Sequence, residues 1–444
     1  MSEKRSQFGS KLGMIAAAAG SAVGLGNIWR FPSETADGGG AIFILVYLFC
    51  ILLFGVPLMV AEFMIGRSSR SNAAGAFHKL AAGTQWKWVG RLGVFTGFII
   101  LGFYMVVCGW TLDYFIQSVT GNIANVTDFG AHFSSLLDSK VRQIVLMVVF
   151  LFLTSYFIYS GVQKGIEASA KVMMPVLFVL LIVMAIRAVT LEGASEGLAF
   201  LFKPNLEGVK STVFIDAMGQ AFFSLSLGMG CMLTYASYFN RDTNLIKTSV
   251  QVSILDTLVA LLAGTIIFSS AFALTDNTDT IVSELVAGGP GLLFITIPEL
   301  FNQMPGSAIW SSLFFLLLGI AALTSTISLM EVVAAYLLEE YNMTRKRALQ
   351  YIVSGVFVLG VISAVSSGFF NFLDIISAKF MMPIGGLFIS LFVGWYLDKR
   401  IIQAEITNDG KLRFGIKFLK AYSFILKYLA PAGILAIFLY GLLG

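Results

Sequence analysis

The apolar run that begins near Leu12 carries straight into Gly24, Leu25, Gly26 and Asn27, followed at once by Arg30 and Pro32. A continuous membrane helix does not tolerate that ending. Each glycine weakens a helix by roughly 1 kcal/mol relative to alanine, and proline removes a backbone donor. In hydrocarbon the freed amides and carbonyls need partners, so broken backbone is confined to places that protein covers or that line a water-filled cavity. The stretch from Gly20 to Pro32 is expected to be a helix interrupted at mid-membrane for a binding purpose.

The bulk composition agrees with a membrane setting. Hydrophobic residues make up 57% of the chain and charged residues 12%, about half the usual share for a soluble domain. Mean hydropathy is +0.85. The polar start MSEKRSQFGSK gives no sign of a cleavable signal peptide. Cys50, Cys108 and Cys231 all sit in apolar segments, which argues against a disulfide framework or a metal cluster.

A span needs roughly 20 apolar residues. Eleven segments qualify, with cores at 11–35, 41–66, 90–119, 142–160, 167–187, 213–239, 247–274, 307–339, 347–367, 371–397 and 422–443. Most of the 29 Lys and Arg residues fall on one side of this arrangement, including Lys4, Arg5, Arg67, Arg91, Arg345 and Lys411, which places the N-terminus in the cytoplasm. The loop from Asp276 to Gly306 holds acids but no Lys or Arg and is expected outside. An odd number of spans puts the C-terminus outside as well. The connections 121–140, 188–212 and 275–306 are the longest and could form a lid; Pro290, Pro298 and Pro305 argue against one long helix in the third. No soluble domain is present, so residues 1–444 are expected to form one membrane domain.

A second interruption matches the first. Gly228-Met229-Gly230 breaks the sixth span as Gly24-Leu25-Gly26 breaks the first. A GxG in one helix alone is equally well explained by close helix packing. A matched pair, at the first span of each five-helix half, points to the substrate site of an inverted-repeat transporter.

The runs VGLGNIWRFP, GQAFFSLSLGMG and AALTSTISLME, with PLMVAEFMIGR and GGPGLLFITIPELF, resemble those of the neurotransmitter:sodium symporter family. The resemblance extends from about Phe8 to Lys399. It implies an all-α membrane protein of the leucine-transporter fold, a 5+5 inverted repeat (11–187 and 213–397) with helices 1 and 6 broken. An eleventh span at 422–443 fits a bacterial subset of the family, in the cytoplasmic membrane. The leucine transporter is itself the prototype of such broken helices.

The resemblance also implies a set of ligands. A substrate carboxylate would meet the amides of Leu25 and Gly26 at a half-helix N-terminus, where the dipole favours anions, together with the hydroxyl of Tyr104. A packing role for Tyr104 is the alternative. Sodium, a hard cation, takes oxygen ligands. One sodium would use the Ala22 carbonyl, Asn27, Ser224, Asp256 and the substrate carboxylate. A second would use the carbonyls of Gly20, Val23 and Ala321 with the hydroxyls of Thr324 and Ser325, unless those hydroxyls bond back to their own helix. Ile100, Tyr104, Phe223, Ser226, Met229, Ser328 and Leu329 would line the side-chain pocket, and Ala22 would border the substrate as well as the first sodium. That pocket holds no carboxylate for a substrate amine, and Met229 adapts to varied shapes. Neutral, hydrophobic L-amino acids, aromatic ones included, are the expected substrates, with no organic cofactor and no nucleic-acid partner.

Many relatives carry asparagine at position 256, and chloride-dependent ones carry serine where this chain has Ala260. An intramembrane carboxylate is costly and suggests function. Asp256 would supply a fixed negative charge beside the first sodium and make transport chloride-independent. Arg30 and Asp374 would form the outer gate above Tyr104 and Phe223, and Arg5 with Glu339 the inner one, supported by Ser237; two solvated charges are the alternative for the inner pair. Glu62 is expected to contact the unwound first helix, and Gly165 and Pro175 to mark local unwinding of the fifth span. A channel or an enzyme fits less well, because polar groups gather at one depth and His78 and His132 lie in loops. A sensor that binds an amino acid without moving it would have the same site.

Overall fold

A computed structural model describes residues 6–206, 210–274, 278–287 and 289–443. Its secondary structure is helical, with no strand among the described residues. In chain order the helices that concern the site are α1 (Lys11–Ala22), α2 (Gly26–Asp37), α3 (Ala41–Ser69), α4 (Lys87–Val119), α5 (Lys140–Tyr159), α6 (Val162–Val189), α7 (Val213–Ser224), α8 (Cys231–Ala236), α9 (Leu245–Ala273), α10 (Ser307–Glu340), α11 (Arg345–Val365), α12 (Ser367–Tyr396) and α13 (Ile416–Tyr440).

Nine described helices are long and apolar enough to cross a bilayer, and α1 with α2 makes a tenth span bent by 53°. Helices α7 and α8, of 12 and 6 residues, are each too short to cross. They flank the break at 225–230 and together stand where the sixth span is expected.

Burial separates centre from rim. In its most apolar window α4 is 78% buried and α10 72%, against 22% for α13. The first two therefore run through the middle, and α13 lies at the edge. Leu52, Val141 and Phe152 point outward at 68%, 75% and 63% exposure. Bilayer hydrocarbon, not water, makes such exposure favourable.

The long connections contain short helices. Asn122–Asn125 and Phe129–Asp138 lie in the first, Ala194–Phe202 in the second, and Thr278–Ala287 and Ile297–Asn302 in the third, so no single long helix forms there. Phe294 ties the third connection to the body: its ring stacks on Phe133 at 5.3 Å, and its carbonyl accepts from the Tyr114 hydroxyl at 2.8 Å. Asp276 lies outside the described residues. The expected unwinding of the fifth span takes the form of one wide turn at Val162–Glu167, while Pro175 sits within an uninterrupted helix.

Candidate functional site

Both breaks follow from residue types. After Ala22 the chain leaves helical geometry at Val23 (ψ 117°) and resumes at Gly26. In the second break Ser226, Gly228 and Gly230 all have positive φ, at 54°, 81° and 78°. Gly228 is also needed for space, because a Cβ there would lie 2.3 Å from the Met382 carbonyl oxygen.

Polar groups freed by the breaks find partners across them. The Ser226 hydroxyl donates to the Ser21 carbonyl at 2.8 Å, and the Gln220 amide donates to the Gly26 carbonyl at 3.2 Å. Glu62 of α3, fully buried, accepts from the Gly228 amide at 2.8 Å and the Leu233 amide at 3.3 Å. Its partners thus belong to the second break and not, as expected, to the first helix. The reason is local: α8 starts at Cys231, and a carboxylate at that helix start complements unpaired amides and the positive dipole end.

Between the breaks lies a cavity of about 340 Å³. Ala22, Leu25, Gly26, Ile100, Tyr104, Phe223, Ser226, Met229, Ser328 and Leu329, all ten residues expected to bind substrate, line it. The Tyr104 hydroxyl accepts from the Leu25 amide at 3.2 Å, so tyrosine and broken backbone meet on the cavity wall. Phe103, Val107, Trp29 and Ile375 line it too and were missed. For Phe103 and Val107 a signal was available, since they lie three residues beyond Ile100 and Tyr104 on the same helix.

The cavity continues to Arg30, Glu34, Asp374 and Lys379 at its mouth. Arg30 pairs with Glu34 one turn on, at 3.1 Å, and its guanidinium lies 5.0 Å from the centre of the Phe223 ring. It makes no ion pair with Asp374, which lines the same mouth opposite it. At the other end the path is closed. Phe8, 2% exposed, packs edge-on against Tyr235 and Tyr238, each at 6.1 Å. Arg5 lies outside the described residues; Glu339 accepts from the backbone and side-chain amides of Asn72 at 2.8 and 3.1 Å. Ser237 donates to its own turn, at Thr234.

Behind the cavity the side chains expected around a first sodium converge. The Asn27 side-chain amide donates to Asp256 Oδ1 at 2.7 Å and Ser224 Oγ at 3.0 Å, and Ser224 donates to Asp256 Oδ2 at 2.7 Å. All three are at least 99% buried. Among the described residues no Lys or Arg pairs with Asp256. The oxygens expected around a second sodium also lie together: Ser325 Oγ bonds the Val23 carbonyl at 3.1 Å, and Thr324 Oγ1 the Ala321 carbonyl at 3.0 Å. Thr324 thus bonds within its own helix while Ser325 crosses to the broken one. A Cβ on Gly20 would come within 3.3 Å of Thr324, so that carbonyl's residue borders the same spot.

Glu331 is a buried charge outside the cavity that the sequence reading did not single out. Fully buried in α10, it accepts from Tyr238 at 2.7 Å and is held by Arg345 at 2.9 and 3.2 Å, while Arg345 also donates to the Ile158 carbonyl at 2.7 Å. A glutamate within an apolar span was signal enough to single it out.

Two broken helices packed around one cavity, with buried oxygens behind it, define a secondary transporter. Comparisons with known proteins give the family. The model of the Sodium:neurotransmitter symporter family matches residues 5–135 and 131–443. An uncharacterised sodium-dependent transporter of Bacillus subtilis is 34% identical over 99% of this chain and 98% of its own length. Another from Haemophilus influenzae is 32% identical over 98% of each. The crystal structure of MhsT in complex with L-phenylalanine superposes with a TM-score of 0.88 and 40% identity, covering 99% of this chain and 100% of that one. The chain belongs to the sodium:neurotransmitter symporter family and has the leucine-transporter fold. It is a multi-pass, sodium-dependent membrane symporter and not an enzyme.

Proposed function

We propose that the protein carries neutral, hydrophobic or aromatic L-amino acids with sodium by alternating access, without requiring chloride. The observation that carries this reading is the buried Asp256 carboxylate, which meets an amide and a hydroxyl but, among the described residues, no basic side chain. Isolating an anion from water is expensive unless a cation compensates it. A sodium ion held by Asp256, Asn27, Ser224 and the Ala22 carbonyl would do so, and the anion also replaces any need for chloride. A second sodium would sit among Gly20, Val23, Ala321, Thr324 and Ser325.

The substrate carboxylate would take the place beside the Leu25 and Gly26 amides and the Tyr104 hydroxyl. Its side chain would meet Ile100, Phe103, Val107 and Met229, an apolar surface. The cavity's acids, Glu34 and Asp374, line the mouth with Arg30, so the centre suits a solute that brings its own carboxylate. MhsT was crystallised with L-phenylalanine, which agrees with a pocket of this character.

In this scheme the halves 11–187 and 213–397 are the two inverted repeats, with 422–443 added at the edge, in a bacterial cytoplasmic membrane with the N-terminus inside. Binding of ions and solute favours closing of the mouth at Arg30 and Asp374, then opening of the Phe8 end; each ligand acts only through its differential affinity for the two states. Uptake of radiolabelled L-phenylalanine and L-leucine into proteoliposomes tests the reading. Accumulation should require a sodium gradient and persist when gluconate replaces chloride. Loss of uptake in gluconate overturns chloride independence, and uptake of charged amino acids or glycine alone overturns the pocket assignment.

A further inference from the structure

A second large concavity lies on the outside of the bundle, away from the transport path. About 720 Å³ in volume, it is walled by Trp86, Trp88, Leu92 and Phe95 around the start of α4 and by Phe388 of α12. The volume is that of a small-molecule site. Trp88, Phe95 and Phe388 are 56%, 55% and 40% exposed, so the walls are rings open to the surroundings.

One cation overlooks this apolar groove. The Arg91 guanidinium lies 4.7 Å from the centre of the Trp88 ring, and among the described residues no acid lines the groove. Among the described residues Arg91 forms no ion pair. The Trp88 indole N–H is already satisfied by Gln85 at 3.0 Å, which fixes the ring under the guanidinium. Depth supplies the remaining constraint. Arg91 lies four residues into α4 from Lys87, about 6 Å along the axis at 1.5 Å per residue. The polar layer of each leaflet is of similar thickness, about 5–8 Å. An arginine at that level meets lipid phosphates, for which its planar fork is suited, and tryptophans favour the same boundary.

We infer that the groove between the start of α4 and Phe388 is a binding site for an anionic phospholipid, its phosphate on Arg91 and one acyl chain laid along Trp88, Phe95 and Phe388. The bound lipid braces α4, a central helix, against α12. Trp86 already bridges these elements, with its ring 6.4 Å from Phe388 and 5.1 Å from Phe392.

Fluorescence quenching tests the assignment in the full chain, reconstituted in phosphatidylcholine nanodiscs. Brominated phosphatidylglycerol or brominated phosphatidylcholine is titrated in, and the Trp88 contribution is taken as the difference between wild type and Trp88→Phe. The expected result is half-maximal Trp88 quenching at a roughly fivefold lower mole fraction of the anionic lipid, with the preference abolished in Arg91→Gln. In wild type, the preference should also fall between 0.1 and 1 M salt, where the screening length shortens from about 10 to 3 Å; this measurement stands if the variant does not fold. Equal quenching by both lipids, or an undiminished preference in Arg91→Gln, would show ordinary boundary lipid and overturn the site.

Discussion

The carboxylate of Asp256 lies 2.7 Å from the side-chain amide of Asn27, joining α9 to the turn that follows the first break. In the proposed ion-bound form both side chains present oxygen to one sodium. Asp256→Ala removes the one charged side chain of that set. A charge-assisted contact contributes about 1.5–3 kcal/mol, so the sodium concentration for half-maximal uptake should rise by roughly 10- to 100-fold. A sodium titration of proteoliposome uptake checks this; an unchanged midpoint would remove Asp256 from the ion site.

Glu62 holds the second break by accepting from two backbone amides. Glu62→Ala leaves the Gly228 and Leu233 N–H groups buried and unpaired, at about 1–3 kcal/mol each. Thermal unfolding in detergent should shift down by several degrees, and Glu62→Gln, which retains one carbonyl acceptor, should recover part of the loss. Equal melting of all three proteins would contradict a structural role.

Two glycines separate strain from collision. Gly228 and Gly410 both have left-handed backbone, φ 81° and 85°, so alanine costs about 1–2 kcal/mol at either. Only at Gly228 does the new methyl strike backbone, 2.3 Å from the Met382 oxygen; Gly410 faces open space. Gly228→Ala should therefore abolish uptake and lower yield, whereas Gly410→Ala should transport at near wild-type rate.

Arg345 neutralises a buried acid. Its removal strands Glu331, and breaking a buried pair from one side costs about 3–5 kcal/mol. The lower end applies here, because the Arg345 side chain is 23% exposed. Arg345→Ala should melt well below wild type, and adding Glu331→Gln should restore much of the loss. A double variant no more stable than the single one would exclude stranded charge as the cause.

His132 gives a pH response. It lies in the 129–138 helix, where burial, assisted by the positive charge of Arg142, lowers its pKa below the usual 6.5, against an opposing pull from Asp113. The unfolded chain therefore binds the proton more readily than the folded one. The resulting stability is present above about pH 6.5 and is lost as pH falls below it. Melting curves between pH 7.5 and 5 should show a decline that His132→Gln lessens; identical slopes would assign the decline to other groups.

Helix positions and both interruptions were legible from local chemistry. Apolar length marks a span, and closely spaced glycines mark where it fails, because glycine acts through its own backbone freedom. The ten cavity residues followed from the resemblance carried by the sequence around those interruptions. Loop helices such as Ile297–Asn302 were legible only as proline punctuation.

Partner choice was a different matter. The same sequence that identifies Arg30, Glu62 and Glu331 as costly charges in a membrane does not say which group satisfies each. Arg30 turns to Glu34, Glu62 reaches the second broken helix and not the first, and Glu331 meets Tyr238 and Arg345 from two other elements. Hydrogen bonds and ion pairs depend on separations of about 3 Å and on direction, which no periodicity along the chain encodes. The sequence determined that the first and sixth spans must break and bear polar groups at mid-membrane. Only packing of α3, α9 and α10 around them decided which oxygens and amides face one another there.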